Sequence, residues 1–190
     1  MPKDIFSPRQ VLVYIAVGVL VYFADPGVWT YVAGCTLAAL GILIRAWGCG
    51  HLRKNKELTT SDPYAHVKHP LYLGTFLVAA GGILAAGSSQ APGLLIWVAL
   101  GPLFLGAFLF YYMPKKKQIE GNRLAVRFGA AYEEWDRAVP HLVPSLKTYV
   151  GSSGAGWSWR TYRDNSELEM DVLIVALFAL IPVVAGLLHG

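Results

Sequence analysis

The chain has only two cysteines among its 190 residues, Cys35 and Cys49, both within or at the end of one apolar run. Separated on one helix by nearly four turns, they cannot pair there, so no disulfide framework is expected. The five histidines, at positions 51, 66, 69, 141 and 189, form no His-Glu-x-x-His and have no cysteine partners at zinc spacing. They read as polar interface residues, His66 and His141 as solvated ones, and no metal site is predicted. Charge is scarce as well: 15% of residues are charged against 55% hydrophobic, and the mean hydropathy is +0.45. A water-soluble domain of this size cannot keep so much apolar surface away from water. No basic stripe with interleaved aromatics occurs outside the segments flanking the apolar runs, so the net charge of +4 reflects membrane topology, and no nucleic-acid partner is expected. There is no internal repeat.

What is present is a set of five apolar runs, roughly 10–24, 28–48, 70–88, 92–113 and 171–188, each near the ~20 residues that cross a hydrocarbon core as a helix. The first is the shortest. Its lead of Lys3 and Arg9 would suit a signal peptide, but no small-x-small site precedes Asp25-Pro26 and a second apolar run follows at once, so it reads as a span. Lys and Arg gather at Lys3 and Arg9, between Arg45 and Lys68, and from Lys115 through Arg163, and are absent from 25–27 and 86–92. The positive-inside rule then places the N-terminus, the 49–69 loop and the 114–170 region in the cytoplasm, with the C-terminus outside. From Lys116 to Arg137 the chain is charged, with Leu124, Phe128, Tyr132 and Trp135 on one stripe, which predicts an interfacial helix ended by Pro140 and Pro144. Small helix residues (Gly34, Gly41, Gly74, Gly81, Gly82, Gly101, Gly106) predict close helix packing, and Pro102 predicts a kink. The stretch Gly151-Ser152-Ser153-Gly154-Ala155-Gly156 reads as a linker, and Trp157, Trp159, Arg160, Tyr162 and Arg163 as an anchor for the last span.

The expected fold is therefore an all-α integral membrane protein of about five transmembrane helices plus a cytoplasmic interfacial helix. It reads as one domain over 1–190, with a core at 50–144 and a linker and fifth helix at 145–190.

The densest polar chemistry is Asp62-Pro63-Tyr64-Ala65-His66-Val67-Lys68-His69-Pro70-Leu71-Tyr72-Leu73-Gly74, set against the start of an apolar run. Polar groups at a membrane edge are functional candidates by default. Lys115, Lys116 and Lys117 follow the fourth run and suit an anionic substrate or a membrane anchor, while Glu120 is an acceptor or an i, i+4 partner of Lys116.

The order of these elements, Tyr64, Lys68-His69-Pro70-Leu71-Tyr72-Leu73-Gly74, Glu120, Leu124, Phe128-Gly129, Tyr132 and Val139-Pro140, resembles the isoprenylcysteine carboxyl methyltransferase and phospholipid methyltransferase family over about residues 50 to 144. The resemblance implies an integral-membrane enzyme that uses S-adenosylmethionine to methylate a lipophilic or prenylated acceptor among membrane lipids, its site facing the cytoplasm. It implies cofactor contacts from Lys56, Glu57, Leu58, Thr59, Tyr64, His69, Pro70, Leu71, Tyr72 and Glu120, with Lys116 near the substrate and His69 and Glu120 as catalytic groups. A lateral apolar entrance beside Gly74 goes with that reading. Asp62, Ala65, Lys68 and Gly121 depart from the family pattern, Gly121 by removing one of a pair of acids. Two alternatives stand beside it, a nicotinamide-dependent membrane reductase of similar architecture and a non-catalytic lipid-binding membrane protein.

Overall fold

The computed structural model describes residues 8–54, 56–151 and 156–189, with side chains described from residue 15 to residue 188 within those ranges. Lys3, Ser152 and most of the expected linker lie outside them. Among the described residues every regular element is a helix: α1 (Pro8–Tyr22), α2 (Val28–His51), α3 (Pro70–Ala86), α4 (Gly93–Phe128), α5 (Ala130–Ala138), α6 (Trp159–Asp164) and α7 (Glu167–His189).

This is an all-α membrane protein, but the expected five spans are corrected. Three helices, α2, α4 and α7, are long and apolar enough to cross a membrane. The other two apolar runs fold into shorter helices, 15 residues in α1 and 17 in α3, because Asp25-Pro26-Gly27 and His69-Pro70 bound them tightly.

The separate interfacial helix is also corrected. The fourth apolar run and the charged segment after it form one 36-residue helix, α4. Two π-helical segments, Ile96–Leu100 and Ala107–Tyr112, each end two residues before a proline, Pro102 and Pro114. Proline removes an N–H and crowds the carbonyl one turn back; a widened turn at that point absorbs both effects, so the helix continues. It stops instead at Gly129, whose φ of 53° lies in the left-handed region that glycine tolerates. Helix α5 then sets off in a new direction.

The rigid centre is the antiparallel α2–α3 hairpin, sealed by glycines at every seventh position. A Cβ on Gly34 would lie 2.5 Å from the carbonyl of Gly81 and the amide of Ala85, and one on Gly41 would lie 2.6 Å from the carbonyl of Gly74. Gly48 continues the row against Pro70, 3.2 Å away. Backbone thus meets backbone, which only small residues permit. Gly74 is therefore not beside a lateral opening as expected; it is buried against Gly41 and the stem of Arg45.

Helix α7 is fixed to this hairpin by polar groups. Arg45 Nη2 donates to Glu167 Oε2 at 3.0 Å, its Nε lies 2.7 Å from Oε1, and its Nη1 donates to Thr75 at 2.5 Å. Cys49 Sγ donates to the same Glu167 carboxylate at 3.1 Å, and Tyr162 donates to Asp171 at 2.6 Å. At the opposite end of the bundle Ala24, Ala85, Ala86, Ile96, Ile181 and Ala185 form an apolar knot with Tyr31, Trp97 and Phe178 packed around it. Cys35 and Cys49 are both free thiols, in line with their spacing.

Candidate functional site

Beyond the Gly48 end of the hairpin, the chain between α2 and α3 is held in place by the return segment after α5. Lys68 N–H donates to Pro140 O at 2.9 Å, Ser145 N–H to His66 O at 2.9 Å and Tyr149 N–H to Ala65 O at 3.1 Å. The Trp135 indole N–H donates to Tyr64 O at 2.9 Å, and Tyr64, Trp135 and Val139 form a small buried core beneath. His66 is spent on this scaffold, its ring facing Ser145 O at 2.8 Å and Asp62 at 3.2 Å.

These elements enclose a cavity of about 400 Å³, within the usual range for small-molecule pockets. One wall is apolar: Leu52, Leu58, Pro70, Leu71, Leu124, Phe128 and Trp135. A second is the outer stretch of α4, where Glu120, Arg123, Leu124 and Arg127 share a face by their three- and four-residue spacing. Arg53, Lys54, Glu57 and Thr59 come from the loop after α2. Thr59 is 5% exposed and its hydroxyl has no partner in the protein. A buried polar atom left open in this way is available to a ligand.

The inner end of the cavity holds a chain of polar contacts. Tyr72 donates a short hydrogen bond to Glu120, whose other oxygen is 4.0 Å from His69 Nδ1, beyond hydrogen-bond reach. The His69 ring stacks between Tyr72, with centroids 5.1 Å apart, and His141, 6.0 Å away. Lys68, 4% exposed, places its ammonium 2.7 Å from Asp136, on the Asp136 carbonyl, and 3.4 Å from His141 Nε2. Burial first, then the His141 ring and the Lys68 ammonium, pull the His69 pKa down from 6.5 to about 4, so the ring is neutral at physiological pH. His141 is lowered by burial and by the same lysine. For Asp136 burial acts upward, but the hydrogen bond and charge of Lys68 outweigh it and hold the carboxyl low. Tyr132, half-buried beside Asp136, is raised to about 12 by that partial burial and by the carboxylate.

Of the residues expected at a site, Glu57, Leu58, Thr59, Tyr64, His69, Pro70, Leu71, Tyr72 and Glu120 line this cavity together. Lys56 is exposed and outside the lining, and Lys116 lies over the rings of Tyr72 and Tyr112, 5.9 Å from each centroid, also outside it. Glu120 pairs across to Tyr72 rather than along its helix to Lys116. His141, expected to be solvated, is corrected: it is stacked and half-buried in the polar chain. Gly121, where a second acid was looked for, faces Tyr132, whose hydroxyl would stand 3.1 Å from an added Cβ. Sequence reading missed Arg123 and Arg127, although their spacing from Glu120 was the available signal.

Comparison with known proteins sets the context. The chain is 32% identical over 133 residues to the cobalt-zinc-cadmium resistance protein CzcN of Cupriavidus metallidurans, an alignment covering 67% of this chain and 56% of that protein. It is 28% identical over 122 residues to the nickel-cobalt-cadmium resistance protein NccN of Alcaligenes xylosoxydans xylosoxydans, covering 63% and 51%. The chain is similar to metal-resistance proteins. It spans a little over half the length of these relatives. No family profile matches the chain, and no solved structure matches it.

These relatives overturn the methyltransferase reading, both the family assignment and the enzyme class and activity drawn from it, because they are named for resistance to metals. The motifs that carried the resemblance have local duties here. Pro70 opens α3 at a position where no amide is needed and packs on Gly48; Phe128-Gly129 ends α4; Val139-Pro140 supplies a core side chain and the carbonyl that receives Lys68 N–H.

Proposed function

We propose that the chain serves heavy-metal resistance as a membrane-embedded binding protein whose cavity takes a small organic anion rather than a bare metal ion. The observation that carries this is the charge of the lining: Arg53, Lys54, Arg123 and Arg127 against Glu57 and Glu120, with Lys68 already matched by Asp136. A divalent cation entering this cavity meets a surplus of positive charge, whereas an anion is drawn in. Among the described residues, no group of three His, Cys, Asp or Glu side chains is placed to hold a metal ion. The apolar wall and the open Thr59 hydroxyl suit a ligand with a flat or aliphatic body beside its acidic group.

S-adenosylmethionine, which the resemblance implies, has a carboxylate and a flat ring that suit these walls, but its sulfonium and ammonium give it a net positive charge, so in this proposal it binds more weakly than a true anion; no transfer of its methyl group is invoked. The cavity end faces the cytoplasm in this reading, since the loop after α2 and the outer half of α4 carry the Lys and Arg while the turns at 25–27 and 87–92 carry none. Membrane lipids are the proposed partners of the exposed apolar faces, for example Trp29, Val98, Phe110 and Val172.

The test is calorimetric titration of the nanodisc-reconstituted protein with citrate, ATP, S-adenosylmethionine and the chlorides of cobalt, zinc and cadmium. At least one organic anion is expected to bind, and Arg123→Glu is expected to weaken it by tenfold or more, the loss of one charge-assisted hydrogen bond of about 1.5–3 kcal/mol. In cells the same variant should lower tolerance to cadmium and cobalt. Tight binding of free metal that Arg123→Glu strengthens would overturn the proposal.

A further inference from the structure

A second cavity, of about 420 Å³, lies where α6 turns into α7 and is lined by Trp159, Arg160, Arg163, Asp164 and Glu169. It is apart from the site above and shares no residue with it. The corner that forms it is firmly built. Ser158 caps α6 by accepting from Thr161 N–H, and its own amide donates to Gly50 O at 3.0 Å. The Trp157 indole covers Gly50 and donates to Ala46 O at 3.0 Å. Asn165 Nδ2 donates to Cys49 O and Leu52 O, both at 3.0 Å, so the turn is pinned to the last residues of α2. Ser166 holds a φ of 56°, uncommon for a residue with a side chain, and this reversal brings Glu169 back towards Arg163 and Asp164.

Three observations say what fits there. The cavity stands at the first turn of a helix long and apolar enough to cross a membrane, and the residues just beyond it, Val172 and Leu173, are exposed apolar side chains. Trp157 and Trp159, about half exposed with ring centroids 6.0 Å apart, are the side chains that settle at the boundary between water and lipid. The lining carries both signs of charge, two guanidiniums and two carboxylates, and the one ion contact among them, Arg160 with Asp164 at 3.8 Å, is almost fully exposed and loose.

The geometry points to a phospholipid headgroup site on the α6–α7 corner, selective for a zwitterionic headgroup that bears a primary amine. The guanidiniums of Arg160 and Arg163 take the phosphodiester, whose oxygens match their planar forks. Asp164 and Glu169 take the ammonium through its N–H donors, and the acyl chains lie along Val172 and Leu173. A glycerol headgroup gives the two carboxylates no cationic partner, and a choline headgroup has no N–H to donate.

Native mass spectrometry of the protein released from nanodiscs holding equal parts of phosphatidylethanolamine, phosphatidylglycerol and phosphatidylcholine tests this. The wild-type protein is expected to retain phosphatidylethanolamine about threefold over either competitor, the selectivity that one exposed ion contact supplies. Arg163→Glu and, as a second variant on a nearly fully exposed side chain, Arg160→Glu should abolish that preference with thermal unfolding unchanged. Glu169→Gln with Asp164→Asn should shift retention towards phosphatidylglycerol. Equal retention of all three lipids, or a preference that survives both arginine reversals, overturns the assignment. Displacement of the retained lipid by millimolar glycerophosphoethanolamine would make a soluble headgroup ester the ligand and overturn the lipid source; failure to displace it supports the membrane lipid.

Discussion

Beside α2, the polar groups of Arg45, Thr75, Cys49 and Glu167 partner one another, while Asp171, a turn further along, accepts from Tyr162 on one oxygen and keeps the other buried and unpartnered. Around His69, Tyr72 and Glu120 the pairing runs out: the imidazole and the carboxylate stand 4.0 Å apart, the Thr59 hydroxyl has no partner, and Arg123 projects into a cavity with more cations than acids. Both clusters sit at the same end of the same hairpin, but the first is the more buried: the Glu167 side chain is 4% exposed against 27% for Glu120. A set of charges that closes on itself holds helices together, and a set with surplus valence waits for something from outside.

The closed cluster is the place where a single truncation should do most harm. Glu167→Ala leaves the Arg45 guanidinium with one hydroxyl for company in a largely buried site, and should destabilise the protein by about 3–5 kcal/mol in denaturant unfolding. Replacing Arg45 and Glu167 together by methionine should recover most of that loss. A small effect of the single change would mean that the cluster is not closed after all.

The open cluster should answer to acid. With a folded pKa of about 4 against 6.5 unfolded, His69 binds more protons in the unfolded chain between those values. The stability carried by its neutral ring is fully present above pH 6.5 and drains away as pH falls to 4, by on the order of 3 kcal/mol at most. Asp136, also depressed in the folded state, adds a loss of the same sign at lower pH still. His69→Gln should flatten the first part of this curve in thermal melts at pH 7, 6 and 5, and an unchanged slope would detach the imidazole from the buried chain.

Smaller effects sharpen the contrast. Gly81→Ala puts a methyl 2.6 Å from the Gly34 carbonyl and should cost about 1–3 kcal/mol by overpacking the seam. Arg123→Glu, on the ligand-facing side of α4, should change unfolding by no more than about 0.5 kcal/mol while lowering affinity for the bound anion. Stability loss at Arg123 equal to that at Gly81 would erase the distinction between surplus and structural charge.

Much of the scaffold was legible because local sequence decides it. Apolar runs became helices, Pro70 opened one of them, and Gly34, Gly41, Gly74 and Gly81 announced a close seam, whereas Gly101 and Gly106, named with them, meet no neighbour. Where a wide turn absorbs a proline, as before Pro102 and Pro114, the helix continues, and α4 runs through both. The break at Gly129 was hidden because the apolar stripe of Leu124, Phe128, Tyr132 and Trp135 continues across it. In the site, the expected residues from Glu57 to Tyr72 lie close in sequence and line one cavity. His141 joins them only because the chain returns after α5 and pairs its backbone with residues 65–69, a contact that no local spacing encodes. The chemistry assigned to the motif failed for a related reason: its residues are as well explained by helix starts, stops and turns as by a reaction.

Helix α3 has 17 residues, about 26 Å of rise at ~1.5 Å per residue, against a hydrocarbon thickness of roughly 30 Å. Its partner α2 is 24 residues long, and the glycine seam forbids α3 to slide along it to make up the difference. Of the pair, only α2 is long enough to cross unaided, so α3 reaches the far boundary only where headgroups come in to meet it. Thin bilayers should therefore suit this protein better than thick, sterol-rich ones.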